Sequence, residues 1–175
     1  MIDPLEMEKT ANEVFKNSDF PMESLSDPLA ANLLPYIDSE MEDGKSREEW
    51  KAETELNKIM NLNNKIPVDG ICVRVPVFRC HSQALTIKLK KDIEVKEIEK
   101  ILDESSEWIN VIPNNKKETL NKLTPAAVSG SLNIHVGRIR KMSLGNEYLT
   151  MFTVGDQLLW GAAEPLRRML NLLLD

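Results

Sequence analysis

The sequence predicts an α+β fold: a mixed, largely antiparallel sheet with helices packed on one face. Three observations carry that prediction. Apolar and polar residues alternate from Ile71 to Phe78 and again from Leu85 to Lys90, the period of strands. Two further runs, Ile134 to Met142 and Tyr148 to Val154, flank a Gly145-Asn146 turn signal and read as a hairpin. The clearest helical periods lie outside these runs, one opened by Ser46 and one running from Asp156 to Leu174.

Taken in order, residues 1–17 read as a first helix, with Leu5, Val14 and Phe15 set among acids and lysines. Residues 18–44 are rich in Pro, Asp, Ser and Asn, with Pro21, Pro28 and Pro35, and read as a long surface connection. At most a short turn is expected there, around Leu33 to Ile37. A connection this long is more often functional than idle, or it wraps a neighbouring subunit. Ser46-Arg47-Glu48-Glu49 is a capping box, Ser46 as N-cap and Glu49 as its reciprocal partner. The helix it opens runs to about Leu62, with Ala52, Leu56, Ile59 and Met60 as its apolar stripe. Glu48 and Lys51, three residues apart, are neighbours on the flank of that stripe.

Between Ile66 and Lys91 the pattern is β-like, and period two puts Arg74 on the face opposite the valines. Val95 to Leu102 is a short helix, and Lys116 to Leu123 a further one. The last helix carries Leu158, Leu159, Ala162, Ala163, Leu166, Met169, Leu170 and Leu173 on one broad apolar face. Pro165 should kink it, having no N–H to give to the carbonyl of Gly161.

Composition narrows the function. The 175 residues are 42% apolar and 29% charged, the size and make-up of one soluble domain with a real core. A net charge of −6 gives little support to nucleic-acid binding, and Arg138, Arg140 and Lys141 read as a solvated strand face. No run approaches the roughly 18 apolar residues of a membrane span, and Met1 to Lys16 lacks the pattern of a signal peptide. If Cys72 and Cys80 share a strand they lie roughly 26 Å apart, too far to bridge. A reducing cytoplasm is the simple reading. No metal-ligand spacing occurs, so no metal is expected.

The densest chemistry lies from Cys72 to Gln83, where Arg74 precedes His81 by seven residues. A guanidinium matches a carboxylate bidentately, and an imidazole titrates near working pH. Together they suit an acidic substrate and the movement of its proton. The residues alone fit equally an arginine in a structural ion pair beside a surface histidine. Glu48 and Lys51 fit a surface pair worth only about 0.2–0.5 kcal/mol, and Gln157 fits a polar residue in the first turn of a helix. His135 reads as a strand surface residue. Cys80 adjoins His81, but neighbours on a strand point to opposite faces, which argues against a working Cys–His pair.

Pro67-Val-Asp-Gly-Ile-Cys-Val-Arg-Val, then Arg79-Cys-His-Ser-Gln-Ala and Thr86-Ile-Lys-Leu-Lys-Lys, resemble the catalytic domain of the aspartate-semialdehyde dehydrogenases. So do Ser46-Arg-Glu-Glu-Trp-Lys, Leu123-Thr-Pro-Ala-Ala-Val, and Gly155-Asp-Gln-Leu-Leu-Trp-Gly-Ala-Ala-Glu-Pro-Leu-Arg-Arg-Met-Leu. These blocks follow the family's order from about residue 30 to the C-terminus and are similar to its Gram-negative branch above all. The resemblance implies a domain like the C-terminal domain of glyceraldehyde-3-phosphate dehydrogenase, with sheet faces that build a homodimer or higher homo-oligomer. It implies NADPH-dependent reductive dephosphorylation of L-aspartyl 4-phosphate to aspartate semialdehyde, at the branch point toward lysine, threonine and methionine. In that reaction a cysteine thiolate attacks the acyl phosphate, phosphate leaves, and hydride reduces the thioester. By resemblance His81 is the general acid/base, Arg74 clasps the substrate α-carboxylate, and Glu48 takes its ammonium. Lys51 meets the phosphate, and Gln157 touches the nicotinamide end of NADP.

The family's nucleophile lies in a Gly-Asn-Cys-Thr motif, and its pyrophosphate is cradled by a Gly-rich turn. Neither occurs in this sequence, which has seven glycines in all, and neither Cys72 nor Cys80 takes the nucleophile's place. Residues 1–175 then form the catalytic and dimerisation domain. Residues 156–174 are the helix that would cover a nucleotide-binding half not included here, whether by a truncated gene product or an excised piece. Without the nucleophile these residues alone are expected to show negligible turnover. The apolar face of the last helix is expected to be exposed or borrowed by another subunit. The competing reading is a non-catalytic dimerisation or anion-binding module that keeps Arg74 and Lys51.

Overall fold

The structure is a computed structural model that describes residue 29 and residues 32–174. The first helix expected over residues 1–17 lies outside the described residues. The chain divides between Pro76 and Val77 into two compact units.

In the first unit the capping box forms as expected. The Ser46 hydroxyl accepts from the Glu49 N–H and the Glu49 carboxylate accepts from the Ser46 N–H, opening α1 (Arg47–Ile59). The helix ends at Ile59 rather than Leu62, with Asn61 in a left-handed conformation (φ 47°). Three residues of its expected apolar stripe, Leu56, Ile59 and Met60, are exposed among the described residues. The stripe that makes contacts is polar. Glu49, Glu53 and Asn57, four residues apart along one helix face, bind the backbone of the segment that follows. Glu49 accepts from the Cys72 N–H (2.9 Å), Glu53 from the Val68 N–H (3.3 Å), and Asn57 exchanges two bonds with Ile66 (2.7 and 2.9 Å).

That anchoring explains a correction. Ile71 to Val77 alternates like a strand, yet only Arg74 forms a bridge, antiparallel to Leu34 with both backbone bonds at 2.9 Å. Side chains of α1 take part of its backbone hydrogen bonding, and Pro76 has no N–H to give a ladder. Its valines stay exposed.

The second unit is a four-stranded mixed sheet in the order β1-β4-β3-β2, the α+β architecture expected. β1 (His81–Lys88) runs antiparallel to β4 (Gly145–Gly155), from His81↔Gly155 to Lys88↔Tyr148. β4 forms a hairpin with β3 (Ile134–Met142), whose other edge pairs in parallel with β2 (Ile109–Val111). The hairpin turns at Ser143-Leu144; Gly145, at φ 142°, already belongs to β4. Arg138, at φ 57°, lies within a register shift that sets two residues of β3 against one of β4. Val136 and Ile139 therefore point into the same cluster although three residues apart.

That cluster, with Leu149, Met151 and Ile98 of α2 (Val95–Ser105), fills one face of the sheet. Parity along β4 puts Phe152 and Val154 on the opposite face. There they pack with Cys80, Ile112, Leu123 and Val128, closed by the short α3 (Lys116–Lys122) and α4 (Pro125–Val128), so helices cover both faces of the sheet rather than the one face expected. His135 belongs to this face and is buried, a correction to its expected surface position. Its Nδ1 lies 2.6 Å from the Lys122 carbonyl at the end of α3 and its Nε2 3.4 Å from the Asn110 amide. The ring's polar atoms are met inside the protein, so burial carries no unsatisfied group.

The last helix starts at Gln157, passes through a π segment, Leu159–Ala163, and continues as α5 (Glu164–Leu174). The wide turn stands where Pro165 was expected to kink the helix: the Glu164 N–H reaches back five residues to the Leu159 carbonyl. Its base is anchored by Trp160, whose indole N–H donates to the Leu132 carbonyl (2.7 Å). Arg168 lies 5.0 Å from the centroids of both the Trp108 and Trp160 rings. Beyond it Leu166, Met169, Leu170, Leu172, Leu173 and Leu174 are exposed. No helix among the described residues is long and apolar enough to cross a membrane.

Candidate active-site residues

The first unit holds Glu48, Lys51 and Arg74. The cap at Ser46 fixes the first turn of α1, which puts Glu48 and Lys51 on one helix flank. Their side chains meet at 2.9 Å. The pair has a third member that sequence alone does not disclose: Asp38, whose carboxylate lies 3.1 Å from the Lys51 ammonium. The hydrogen bonds it donates to Glu48 and then to Asp38 hold the Lys51 ammonium above its ordinary pKa. The Ser39 N–H and then Lys51 hold Asp38 below the usual carboxylate range.

Arg74 is placed by backbone: Leu34 bonds it on one side, and two residues earlier Glu49 holds the Cys72 N–H. Its guanidinium is exposed and makes no ion pair among the described residues. Burial, then Glu49 and Glu48, push the Cys72 thiol up in pKa. A thiol kept protonated is a poor nucleophile.

The second unit brings together His81 and Gln157. The turn before β1 is tied to the start of the last helix at consecutive positions: His81 pairs with Gly155, the Cys80 N–H donates to the Gln157 carboxamide oxygen, and Arg79 pairs with Asp156. Cys80 takes φ 86°, a conformation that costs a non-glycine residue about 1–3 kcal/mol. Its thiol turns inward toward the Pro125 carbonyl and the Ser129 hydroxyl, while His81 is exposed. The two neighbours point apart, Cys80 in a left-handed conformation before the strand and His81 as its first residue. Since the Gln157 oxygen is engaged by an N–H donor, its –NH₂ is the end left for an acceptor.

Asp156 is the brace that sequence reasoning missed. Fully buried, it accepts from the Gly130 N–H (2.7 Å) and the Leu158 N–H (3.1 Å) and pairs with Arg79. Burial alone raises its pKa, but the Gly130 N–H, Arg79 and the Leu158 N–H outweigh it and hold the carboxyl low. The available signal was its residue type, a preferred N-cap directly before a helical period.

Residues 5–160 match the family described as semialdehyde dehydrogenase, dimerisation domain. The chain belongs to that family. Among solved structures it is similar to the aspartate-semialdehyde dehydrogenase of Francisella tularensis, with 51% identity over 99% of this chain and a TM-score of 0.92. It is also similar to aspartate-semialdehyde dehydrogenase II of Vibrio cholerae, at 26% identity over 96% of this chain with a TM-score of 0.78. A second structure of the Vibrio enzyme, complexed with ASA, gives 25% identity over 98% of this chain and a TM-score of 0.76. The chain spans about half the length of these relatives: 48%, 47% and 50% respectively. It corresponds to the dimerisation domain of a semialdehyde dehydrogenase, and its α+β fold is theirs.

Proposed function

We propose that this chain is the catalytic and dimerising half of an NADP-dependent aspartate-semialdehyde dehydrogenase. The whole enzyme would act in the cytoplasm as a homo-oligomer on the path to lysine, threonine and methionine. It would convert L-aspartyl 4-phosphate to aspartate semialdehyde with release of phosphate. The observation that carries this reading is the 51% identity to the Francisella enzyme across nearly the full chain.

The residues suit their roles. Arg74 offers an exposed guanidinium fork to the substrate α-carboxylate. Glu48 and Lys51 face each other, so the ammonium and the phosphate of a zwitterionic acyl phosphate would divide that pair between them. His81, exposed at the start of β1, holds or returns the proton of the reacting carbonyl oxygen. Gln157 fits NADP by chemistry: its free –NH₂ suits the carboxamide oxygen of a nicotinamide. The cofactor, when bound, supplies the hydride. Turnover by these 175 residues alone should be negligible, because they contain no Gly-Asn-Cys-Thr motif.

The test mixes this chain with the separately expressed nucleotide-binding half of the Francisella enzyme and follows semialdehyde- and phosphate-dependent NADP reduction. Activity should appear on mixing and fall by about 10²–10⁴-fold for His81→Ala. Association of the halves without turnover, or an undiminished His81→Ala, would overturn the reading.

A further inference from the structure

The segment before α1 contains a backbone outlier with a charge at its tip. Asp38 takes φ 74°, a left-handed conformation that glycine would adopt freely and an aspartate adopts at a cost. The surrounding bonds hold it there. The Ser39 N–H donates back to the Asp38 carboxylate (2.7 Å), and the Arg47 N–H donates to the Ser39 carbonyl (2.8 Å). Glu40 forms a bridge with Ser46, the N-cap of α1. This strained turn delivers one functional group, the carboxylate that reaches Lys51 at 3.1 Å. Strain held by its surroundings at a charged cluster marks a position where the side chain is used.

The Lys51 ammonium has three N–H groups. Glu48 takes one (2.9 Å) and Asp38 a second (3.1 Å), so one is left for a ligand and its direction is set by the other two. Charge follows the same count: the two carboxylates and the ammonium sum to −1, with the Arg47 charge acting on Asp38 from beside them. An anion that accepts the third N–H does so against that net charge.

We propose that Asp38 is a positioning residue for Lys51, a counter-charge that aims its remaining N–H and keeps its hold on phosphate weak. This rests on the reading of Lys51 as the phosphate-facing cation. For a reaction that releases phosphate, a restrained cation lets the anion be recognised and then leave. Glu48 cannot play this part alone, since in the same reading its carboxylate is shared with the substrate ammonium.

The test is titration of the full chain with inorganic phosphate at low ionic strength, followed by NMR of the Lys51 ammonium and of backbone amides. Two oxygens bonded to one ammonium lie about 5 Å apart, so removing the Asp38 charge should tighten phosphate binding about three- to tenfold. The gain should shrink as added salt screens it. Asp38→Asn keeps the side chain's shape and tolerates the left-handed backbone; Asp38→Gly removes the strain together with the charge. Both should bind more tightly, and in both the Lys51 pKa should fall toward its ordinary value. A structural lesion would lose binding rather than gain it. If Lys51→Ala abolishes phosphate binding while both Asp38 variants bind no tighter than the parent, the counter-charge proposal fails alone. If the parent binds no phosphate, or Lys51→Ala binds as the parent does, the reading of Lys51 fails and takes the proposal with it.

Discussion

Replacing Asp156 by asparagine changes one buried oxygen into an –NH₂ at nearly constant volume. The parent carboxylate satisfies the Gly130 N–H, the Leu158 N–H and the Arg79 guanidinium without contact with water. An amide turned either way presents a donor to a donor. Removing one partner of a buried charge pair costs about 3–5 kcal/mol, and a lost N-cap costs about 0.5–2 kcal/mol within that sum. At about 2–4 °C per kcal/mol for a chain of this size, the melting temperature should fall by about 6–20 °C. Arg79→Ala should cost less, about 1.5–3 kcal/mol, because its side chain is 32% exposed and Asp156 keeps both backbone donors. The double variant should lose less than the two singles added together, since the residues share one interaction. Thermal and urea unfolding of the four proteins decide it. An Asp156→Asn protein that melts with the parent, or strictly additive losses, would refute the brace.

Two further outcomes follow from packing and charge. Glu164, bonded to Arg167 and then Arg168, has its pKa lowered from 4.5 to about 2. A depressed carboxyl stabilises the fold fully above pH 4.5 and loses that contribution as pH falls toward 2. Acid titration followed by Trp160 fluorescence should show this loss, and Glu164→Gln should remove that part of the pH dependence; an unchanged acid profile would exclude the cluster as its source. Gly137→Ala would set a methyl 2.9 Å from Leu123 Cδ2 and 3.2 Å from the Ile112 carbonyl. It should cost about 1–3 kcal/mol, whereas Gly70→Ala, with nothing within 4 Å, should be near neutral in the same denaturant series.

What was legible in the sequence is what local chemistry decides. The capping box names its own partners within four residues, so Ser46, Glu49 and the start of α1 are found where expected. Alternation identified β1, β3 and β4 because their side chains pack on a two-faced sheet. The same alternation misled over Ile71 to Val77, where Glu49 of α1 takes the Cys72 N–H and only Arg74 bridges to Leu34. Periodicity reports burial and is silent about such partners. His135 failed for a related reason: its burial depends on the Lys122 carbonyl and Asn110, which the fold brings together from other elements. Asp38 was hidden in a proline-rich connection, where neither period nor motif separates one acid from another. Arg74 and His81 stood out from the residues themselves, a guanidinium and an imidazole seven apart; Glu48, Lys51 and Gln157 were singled out only by resemblance.

A single device places candidate residues in both units. In the first, Glu49 in the opening turn of α1 holds the Cys72 N–H, two residues before Arg74. In the second, Gln157 in the opening turn of the last helix holds the Cys80 N–H, one residue before His81. Each helix start is itself fixed, by the box at Ser46 and by Asp156. A regular strand would orient Arg74 and His81 only by its alternation, and any slip of register would reverse them. A side chain on a capped helix, bonded to one named N–H, adds a second hold beside the pairing each residue makes, Arg74 with Leu34 and His81 with Gly155. Its cost is a backbone less regular than a strand, seen at Cys80 with φ 86°. Such placement tolerates irregular segments at the positions where the family's substrate contacts are expected, and it leaves no periodic trace for sequence analysis to find.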